Sequence, residues 1–179
     1  VGDTLDEANE TFLLNVSSVV GATVADSQGQ ATILDDDAAP TLSVSNCTVT
    51  EGNAGTVNCA FSVSLSASSA QTITVSRATA NGTAVAPGDY TALAAATLTF
   101  NPGETAKVVN VAVGGDTLDE ANETFSLNLS SPVNATIADG TGIGTITDDD
   151  ATPTLSVSDC TVTEGNSGTV NCAFTVSLS

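Results

Sequence analysis

The sequence predicts an all-β protein built from two-sheet antiparallel sandwiches that repeat in tandem. Apolar and polar residues alternate along most segments, which is the period of a strand with one buried face. Clusters of Gly, Asn, Asp and Pro separate these segments at the spacing of sandwich loops. Residues 2 to 66 also recur, largely unchanged, as residues 115 to 179, a displacement of 113 positions. Because this period is the length of a small domain, one folding unit is used repeatedly.

The alternation predicts seven strands in each repeat. The clearest strand runs from Val57 to Leu65, with Cys59, Phe61 and Val63 on the same side as both ends. The other six are centred, in chain order, on Leu42 and Val44, Ile73 and Val75, Leu98 and Phe100, Val109 to Val113, Phe125 to Leu129, and Ile143 to Ile146. Few residues are aromatic and none is Trp or Met, so we expect a core mostly of Val, Leu, Ile and Ala.

The phase of the repeat divides the chain into three parts. Residues 1–37 are the C-terminal part of one repeat, 38–150 form a complete repeat, and 151–179 are the N-terminal part of a further one. The flanking parts lack the strands that would cover their apolar faces, so we expect them to be poorly stable in isolation and the native protein to be longer. The linkers at 38–41 and 151–154 are short, and Pro40 and Pro153 restrict their backbones. We therefore expect stiff connections between repeats.

The charge of the chain is acidic and concentrated. Twenty-one acidic residues stand against two basic ones, Arg77 and Lys107, which gives a net charge of −19. Two cations cannot form the basic patch that nucleic-acid binding needs, and an anionic membrane surface would repel the chain. Most carboxylates recur in a few motifs, whereas a salt-adapted protein would spread them over its surface. The pattern favours binding of cations, and no apolar stretch in the sequence predicts a membrane segment.

The recurring carboxylates follow the ends of predicted strands. In the complete repeat they lie in Thr-Glu-Gly-Asn (50–53), Gly-Asp-Tyr (88–90), Asp-Thr-Leu-Asp-Glu (116–120) and the Asp triplet 148–150. Calcium takes about six to eight oxygen ligands, commonly from Asp and Glu on loops. Adjacent carboxylates repel one another unless a cation neutralises them. The alternative is that Asp, Gly and Asn simply favour turns and solvated loop ends. The combined set favours calcium as the cofactor.

The order of these motifs resembles that of the Calx-beta domain, known from the regulatory region of the sodium/calcium exchanger and from bacterial surface proteins. The resemblance also includes the strand that ends in Val-Val-Asn-Val-Ala-Val (108–113) and the following Glu-Thr-Phe (123–125). It implies an immunoglobulin-like seven-stranded sandwich with calcium in the distal loops. The implied ligands of the complete repeat are Glu51, Asp89, Asp116, Glu120, Asp148, Asp149 and Asp150. Their counterparts in the flanking parts are Asp3, Glu7, Asp35, Asp36, Asp37 and Glu164.

Two residues modify this set of implied ligands. Gly115 stands where the family often has a further aspartate, which removes one implied ligand. Glu123 shares a strand side with Phe125, so we expect it at the rim, either supporting the ligands or solvated, rather than as a ligand itself.

The cysteines recur in the same register. Cys47 and Cys59 return as Cys160 and Cys172, 12 residues apart and centred on Glu-Gly-Asn. Residues equidistant from a turn face each other, so the spacing predicts a disulfide across a hairpin of the first two strands. Two buried free thiols are the alternative, and zinc is disfavoured because the chain has neither His nor Cys-x-x-Cys. Disulfides indicate an oxidising location, extracellular or at the cell surface.

Three classes of function follow from these features. The favoured one is a calcium-binding structural repeat of a secreted or cell-surface array, such as an adhesin stalk or extracellular fibre, with calcium stiffening the inter-repeat junctions. The alternative is a calcium-sensing regulatory module of a membrane protein. An enzyme is not expected, because the chain has no His and its carboxylates are patterned as ligands. The expected partners are calcium ions, neighbouring repeats and, in a homo-oligomer or filament, other copies of the chain.

Overall fold

The computed structural model describes residues 2 to 179, and these contain thirteen strands. In chain order they are β1 (Glu10–Asn15), β2 (Gln28–Ile33), β3 (Thr41–Val44), β4 (Cys47–Thr50), β5 (Gly55–Leu65), β6 (Ile73–Asn81), β7 (Ala96–Phe100), β8 (Ala106–Gly115), β9 (Glu123–Val133), β10 (Thr136–Asp139), β11 (Thr141–Thr147), β12 (Leu155–Val157) and β13 (Val176–Leu178). Within this part of the chain no helix is long and apolar enough to cross a membrane.

Strands β3 to β11 form a two-sheet sandwich. One sheet has the order β10-β3-β5-β8 and the other has the order β4-β11-β9-β6-β7. The predicted all-β sandwich is confirmed, and the seven predicted strands are β3, β5, β6, β7, β8, β9 and β11. The structure adds two short edge strands, β4 and β10, which pair in parallel with β11 and β3. The other pairings of the sandwich are antiparallel, as expected.

The additional strand β4 arises because the chain changes sheets after β3. Val44 is paired with Val63 in one sheet, and three residues later Cys47 is paired with Gly144 in the other. Gly142 makes this crossing possible, because a Cβ there would lie 2.5 Å from the carbonyl oxygen of Ser45. Close approach of two backbones is a position that only glycine fills without strain.

Because the chain changes sheets, the first disulfide joins different parts of the fold from those predicted. Cys47 is bonded to Cys59 with a Cα–Cα distance of 5.7 Å, and Cys160 is bonded to Cys172 at 5.8 Å, so both predicted pairings are confirmed. The prediction that the two flanking strands form a hairpin is wrong, since β4 and β5 belong to different sheets. The Cys47–Cys59 disulfide therefore ties the two layers of the sandwich together.

The core lies between the two sheets and contains the inward-facing residues of β3, β5, β6, β8 and β9. Phe125 is at its centre, edge-to-face with Phe61 at 5.9 Å and stacked on Tyr90 at 4.4 Å between ring centroids. Burial of each large apolar side chain contributes about 1.5–3 kcal/mol. In the flanking parts, β1 pairs only with β2 and β12 only with β13, so their apolar side chains stay largely exposed.

Candidate metal centre

The carboxylate loops of the complete repeat meet at one end of the sandwich. The β5–β8 ladder pairs Gly55 with Gly115 and so places the turn after β4 beside the end of β8. The amide of Glu51 donates to the carbonyl of Thr147 at 3.2 Å, which joins this turn to the end of β11. A Cβ at Gly115 would lie 2.0 Å from the carbonyl oxygen of Gly52. Gly115 therefore lets the loops converge, in addition to removing a ligand.

The first cluster contains Glu51, Asp148 and Asp150, with one carboxylate oxygen of each lying within 4.8 Å of the others. Glu51 is buried. Oδ1 of Asp148 and Oδ2 of Asp150 are buried without a hydrogen-bond partner. The other oxygen of Asp150 accepts a hydrogen bond from the side-chain amide of Asn53 at 2.6 Å. Buried anionic oxygens without donors are costly, and a cation between them would remove that cost.

The second cluster contains Asp89, Glu120 and Glu123, again with oxygens within 4.8 Å of one another. The loop that carries Asp89 is fixed by its neighbours: the amide of Val85 donates to Asp89 Oδ2 at 2.6 Å. The buried Tyr90 donates its hydroxyl to Oδ1 of Asn81 at 2.6 Å. Asp89 thus both closes its own loop and contributes an oxygen to the cluster.

Asp116 and Asp149 belong to neither cluster. Asp116 Oδ1 accepts from the amide of Leu118 at 2.8 Å and so closes a tight turn. Asp149 Oδ1 accepts from the amide of Gly52 at 3.0 Å, which holds the turn after β4 against the end of β11. Of the seven acidic residues singled out from the sequence of the complete repeat, five therefore lie in clusters and Asp149 positions the loop that carries Glu51.

The electrostatics of both clusters are repulsive. Loss of hydration, followed by the charges of Asp116, Asp148, Glu120 and Asp150, raises the pKa of Glu51 to about 7. Desolvation and neighbouring carboxylates also raise the pKa values of Glu120 and Asp150. Neither basic side chain offsets this repulsion, since Lys107 pairs with Glu104 at 2.6 Å and Arg77 donates to the carbonyl of Ala94.

The equivalent loops in the first part of the chain have the same local geometry. Asp3, Glu7 and the triplet Asp35, Asp36 and Asp37 line one small pocket. The amide of Leu5 donates to Asp3 Oδ1 at 3.0 Å, as that of Leu118 does to Asp116. Desolvation, then the charge of Asp3, raises the pKa of Glu7; desolvation, then the charge of Asp35, raises that of Asp37. Glu164, in the last part of the chain, is exposed and joins neither cluster.

Sequence reasoning missed three residues at this end of the molecule. Glu123 was expected at the rim, supporting the ligands or solvated, and its carboxylate lies in the second cluster. Asn122 accepts from the amide of Asp148 at 3.1 Å, and its counterpart Asn9 accepts from Asp35 at 2.9 Å. The retention of this asparagine in both copies was a usable signal. Tyr90, which fixes the Asp89 loop, carried no signal beyond its place in Gly-Asp-Tyr.

The donor atoms select the kind of ion. Each cluster offers only carboxylate oxygens, which suit hard cations such as calcium better than metals that prefer nitrogen or sulfur. Glu51, Asp148 and Asp150 could hold one ion, and Asp89, Glu120 and Glu123 a second, with Asp116 beside both.

Comparison with known proteins gives a consistent result. The solved structures similar to this chain include CBD12 from CALX1.2, with 25% identity, a TM-score of 0.55 and coverage of 62% of this chain and 44% of that one. CBD12 of CALX1.1, described as a calcium binding domain, has 25% identity and a TM-score of 0.53, covering 61% of this chain and 44% of that one. The apo-form Calx CBD1 domain has 24% identity and a TM-score of 0.51, covering 62% of this chain and 99% of that one.

This chain thus spans less than half the length of either CBD12 structure. No curated protein matches it. The Calx-beta domain family model matches residues 35–155, which is most of the chain and includes both carboxylate clusters of the complete repeat. The chain therefore belongs to the Calx-beta domain family.

Proposed function

We propose that this chain is part of a secreted or cell-surface array of Calx-beta repeats in which calcium stiffens the junctions between repeats. In this proposal the chain consists of the end of one repeat (1–37), a complete repeat (38–150) and the beginning of a third (151–179). The ligands we propose for the complete repeat are the seven acidic residues named from the sequence together with Glu123. Asp149 also acts by positioning its loop.

The observation that carries the proposal is the pair of buried oxygens on Asp148 and Asp150 that lack hydrogen-bond partners. They lie in a group of like charges with no basic side chain beside it, so the arrangement is unfavourable without a cation. Ion binding at this position acts on the chain that follows, because Asp150 is joined directly to the linker 151–154.

Two further features support an extracellular structural role. Both disulfides, Cys47–Cys59 and Cys160–Cys172, suit an oxidising compartment. The near-identity of the repeats suits a rod in which one interface recurs. A second candidate is a calcium-sensing regulatory module of a membrane protein, supported by the similarity to CBD12 of CALX1.1 and disfavoured by the disulfides.

The experiment is thermal unfolding of the 179-residue chain in 1 mM calcium and in chelator. A site with a dissociation constant of about 10 μM would add about 2.7 kcal/mol to the free energy of unfolding of the complete repeat. The variant Asp150→Asn should lose most of this gain. Asp139→Asn, an exposed carboxylate outside both clusters, is the matched control and should keep it.

Small-angle scattering of a protein with two complete repeats tests the stiffening. We expect a longer and narrower distribution of shapes with calcium than with chelator. In the thermal unfolding experiment, equal midpoints in calcium and in chelator would contradict the calcium proposal. Equal shapes with unequal midpoints would restrict calcium to the stability of each domain.

A further inference from the structure

Asp6 and Asp119 hold the same position in two identical pentapeptides, Asp-Thr-Leu-Asp-Glu, yet their surroundings differ. Asp6 is only 6% exposed, whereas Asp119 is exposed to solvent. Asp6 adjoins Glu7 but is not among the implied ligands of the site. An identical local sequence cannot account for the difference in burial, so a contact from elsewhere in the chain must bury Asp6.

That contact is the loop between β5 and β6 of the complete repeat. The hydroxyl of Ser69 donates to Asp6 Oδ2 at 2.5 Å. The amide of Ala70 donates to the main-chain carbonyl of Asp6 at 2.9 Å. The side-chain amide of Gln71 lies 3.4 Å from both carboxylate oxygens of Asp6. Both the side chain and the backbone of Asp6 are therefore bound by the following repeat.

The loop that receives Asp6 is already ordered by its own repeat. The carbonyl of Ser69 accepts from the amide of Gly103 at 3.0 Å, and the hydroxyl of Ser69 accepts from the amide of Gln71 at 3.0 Å. Binding of Asp6 thus requires little ordering of its partner, and a preformed partner surface costs less to engage.

The same loop also holds the linker between the two parts. The amide of Thr41 donates to Oγ of Ser66 at 2.9 Å, directly after the buried Pro40. The β5–β6 loop of the complete repeat therefore holds the start of its own β3, where the linker ends, and it contacts the preceding part through Asp6. A non-covalent contact at Asp6, in addition to the covalent linker, restricts the angle between the two parts more than the linker does by itself.

We propose that Asp6 is the docking residue through which the carboxylate loop of one repeat holds the β5–β6 loop of the next. Asp119 is its counterpart, and where a complete repeat follows we expect it to dock the equivalent loop of that repeat. Because Asp6 lies between Asp3 and Glu7, ion binding at those residues orders the segment that carries the contact. This last step rests on the proposed calcium function, whereas the docking itself does not.

The test measures hydrogen exchange of the Ala70 amide by NMR in the full chain. Asp6→Ala and Ser69→Ala should each accelerate exchange about tenfold, the effect of losing one hydrogen bond to a charged group. Asp119→Ala is the matched control and should leave Ala70 unchanged. The amide of Val111, in the centre of the β5–β8 ladder, reports whether the sandwich stays folded.

Unchanged exchange at Ala70 in Asp6→Ala, or equal acceleration in Asp119→Ala, would overturn the proposal. If Ser69→Ala also accelerates exchange of the Val111 amide, the sandwich itself is destabilised. The Asp6→Ala variant then provides the test, because Asp6 lies outside the complete repeat. In a protein of two complete repeats, Asp119→Ala should accelerate amide exchange in the β5–β6 loop of the second repeat.

The two proposals can fail separately. If calcium and chelator give the same unfolding midpoint while Ala70 still depends on Asp6, docking stands and the calcium function fails. If calcium stabilises the chain while Ala70 exchange is independent of Asp6, docking alone fails.

Discussion

The first part of the chain and the complete repeat contain the same eleven residues, Gly-Asp-Thr-Leu-Asp-Glu-Ala-Asn-Glu-Thr-Phe, in very different packing. Phe125 is 1% exposed in the complete repeat, whereas its counterpart Phe12 is 58% exposed. Leu127 and Leu14 differ in the same way, at 0% and 68%. In contrast, the carboxylate turns of the two parts make the same hydrogen bonds. Local sequence thus sets the turns, and partner strands set the burial.

The largest expected difference between the two parts is in the core. Phe125→Ala should destabilise the complete repeat by about 3–5 kcal/mol, because it opens a cavity and removes the contacts with Phe61 and Tyr90. Phe12→Ala should change the free energy of unfolding of the complete repeat by less than about 0.5 kcal/mol. Chemical denaturation measures both, and similar losses in the two variants would show that β1 packs on the complete repeat in solution.

The next difference concerns pH. In chelator, the pKa of Glu51 is raised to about 7 from 4.5, so its contribution to stability is complete below about pH 4.5 and is lost as pH rises through 7. Glu51→Gln should therefore raise the stability of the calcium-free chain at pH 8 by up to about 3 kcal/mol. Its matched control is Glu164→Gln, the exposed counterpart in the last part of the chain, which should change nothing.

The check is the unfolding midpoint of the parent and both variants between pH 4 and 8 in chelator. A parent chain whose midpoint rises steadily over this range would contradict the expected sign. With calcium, the order should reverse at pH 8, since the bound ion needs the carboxylate that the glutamine variant lacks.

The smallest effect is expected at a pair of glycines. Gly115→Ala should lower the free energy of unfolding of the complete repeat by about 1–3 kcal/mol. The new Cβ would meet the carbonyl oxygens of Glu51 and Gly52, so the loops must move apart. Gly2 occupies the same position in the first part of the chain and has no atom within 4 Å of an added Cβ. Gly2→Ala should be neutral in the same thermal unfolding experiment. Equal losses of stability in the two variants would contradict the close approach at Gly115 as the cause.

Much of the fold could be predicted because its strands alternate in polarity over their whole lengths, as β5 does from Val57 to Leu65. Strand β4 could not, because alternation does not reveal that a chain leaves one sheet and joins the other after Val44. The disulfide pairing was predicted correctly from spacing, but from a hairpin that does not exist.

The candidate site was predictable to the level of its loops. Repeated acidic motifs identified the loops, but the direction of each side chain depends on turns closed by main-chain amides. For this reason the place of Glu123 in a cluster was not predicted, and Asp149 holds the Gly52 amide instead of joining a cluster. Burial of Asp6 was not predictable at all, since Asp119 has the same neighbours in sequence and a different environment.

The parallel pairing of β4 with β11 determines how a repeat bears mechanical load. The chain enters the repeat through β3, continues into β4 and leaves just after β11. Strands β4 and β11 run side by side from the Cys47–Gly144 pair to the Thr50–Thr147 pair, and β3 likewise pairs in parallel with β10. Traction on the two ends slides one strand along the other, so the hydrogen bonds of the pair are loaded together in shear rather than opened one at a time. The Cys47–Cys59 disulfide prevents the segment between those two residues from extending, so a repeat that carries this bond releases less length when its ends are pulled apart.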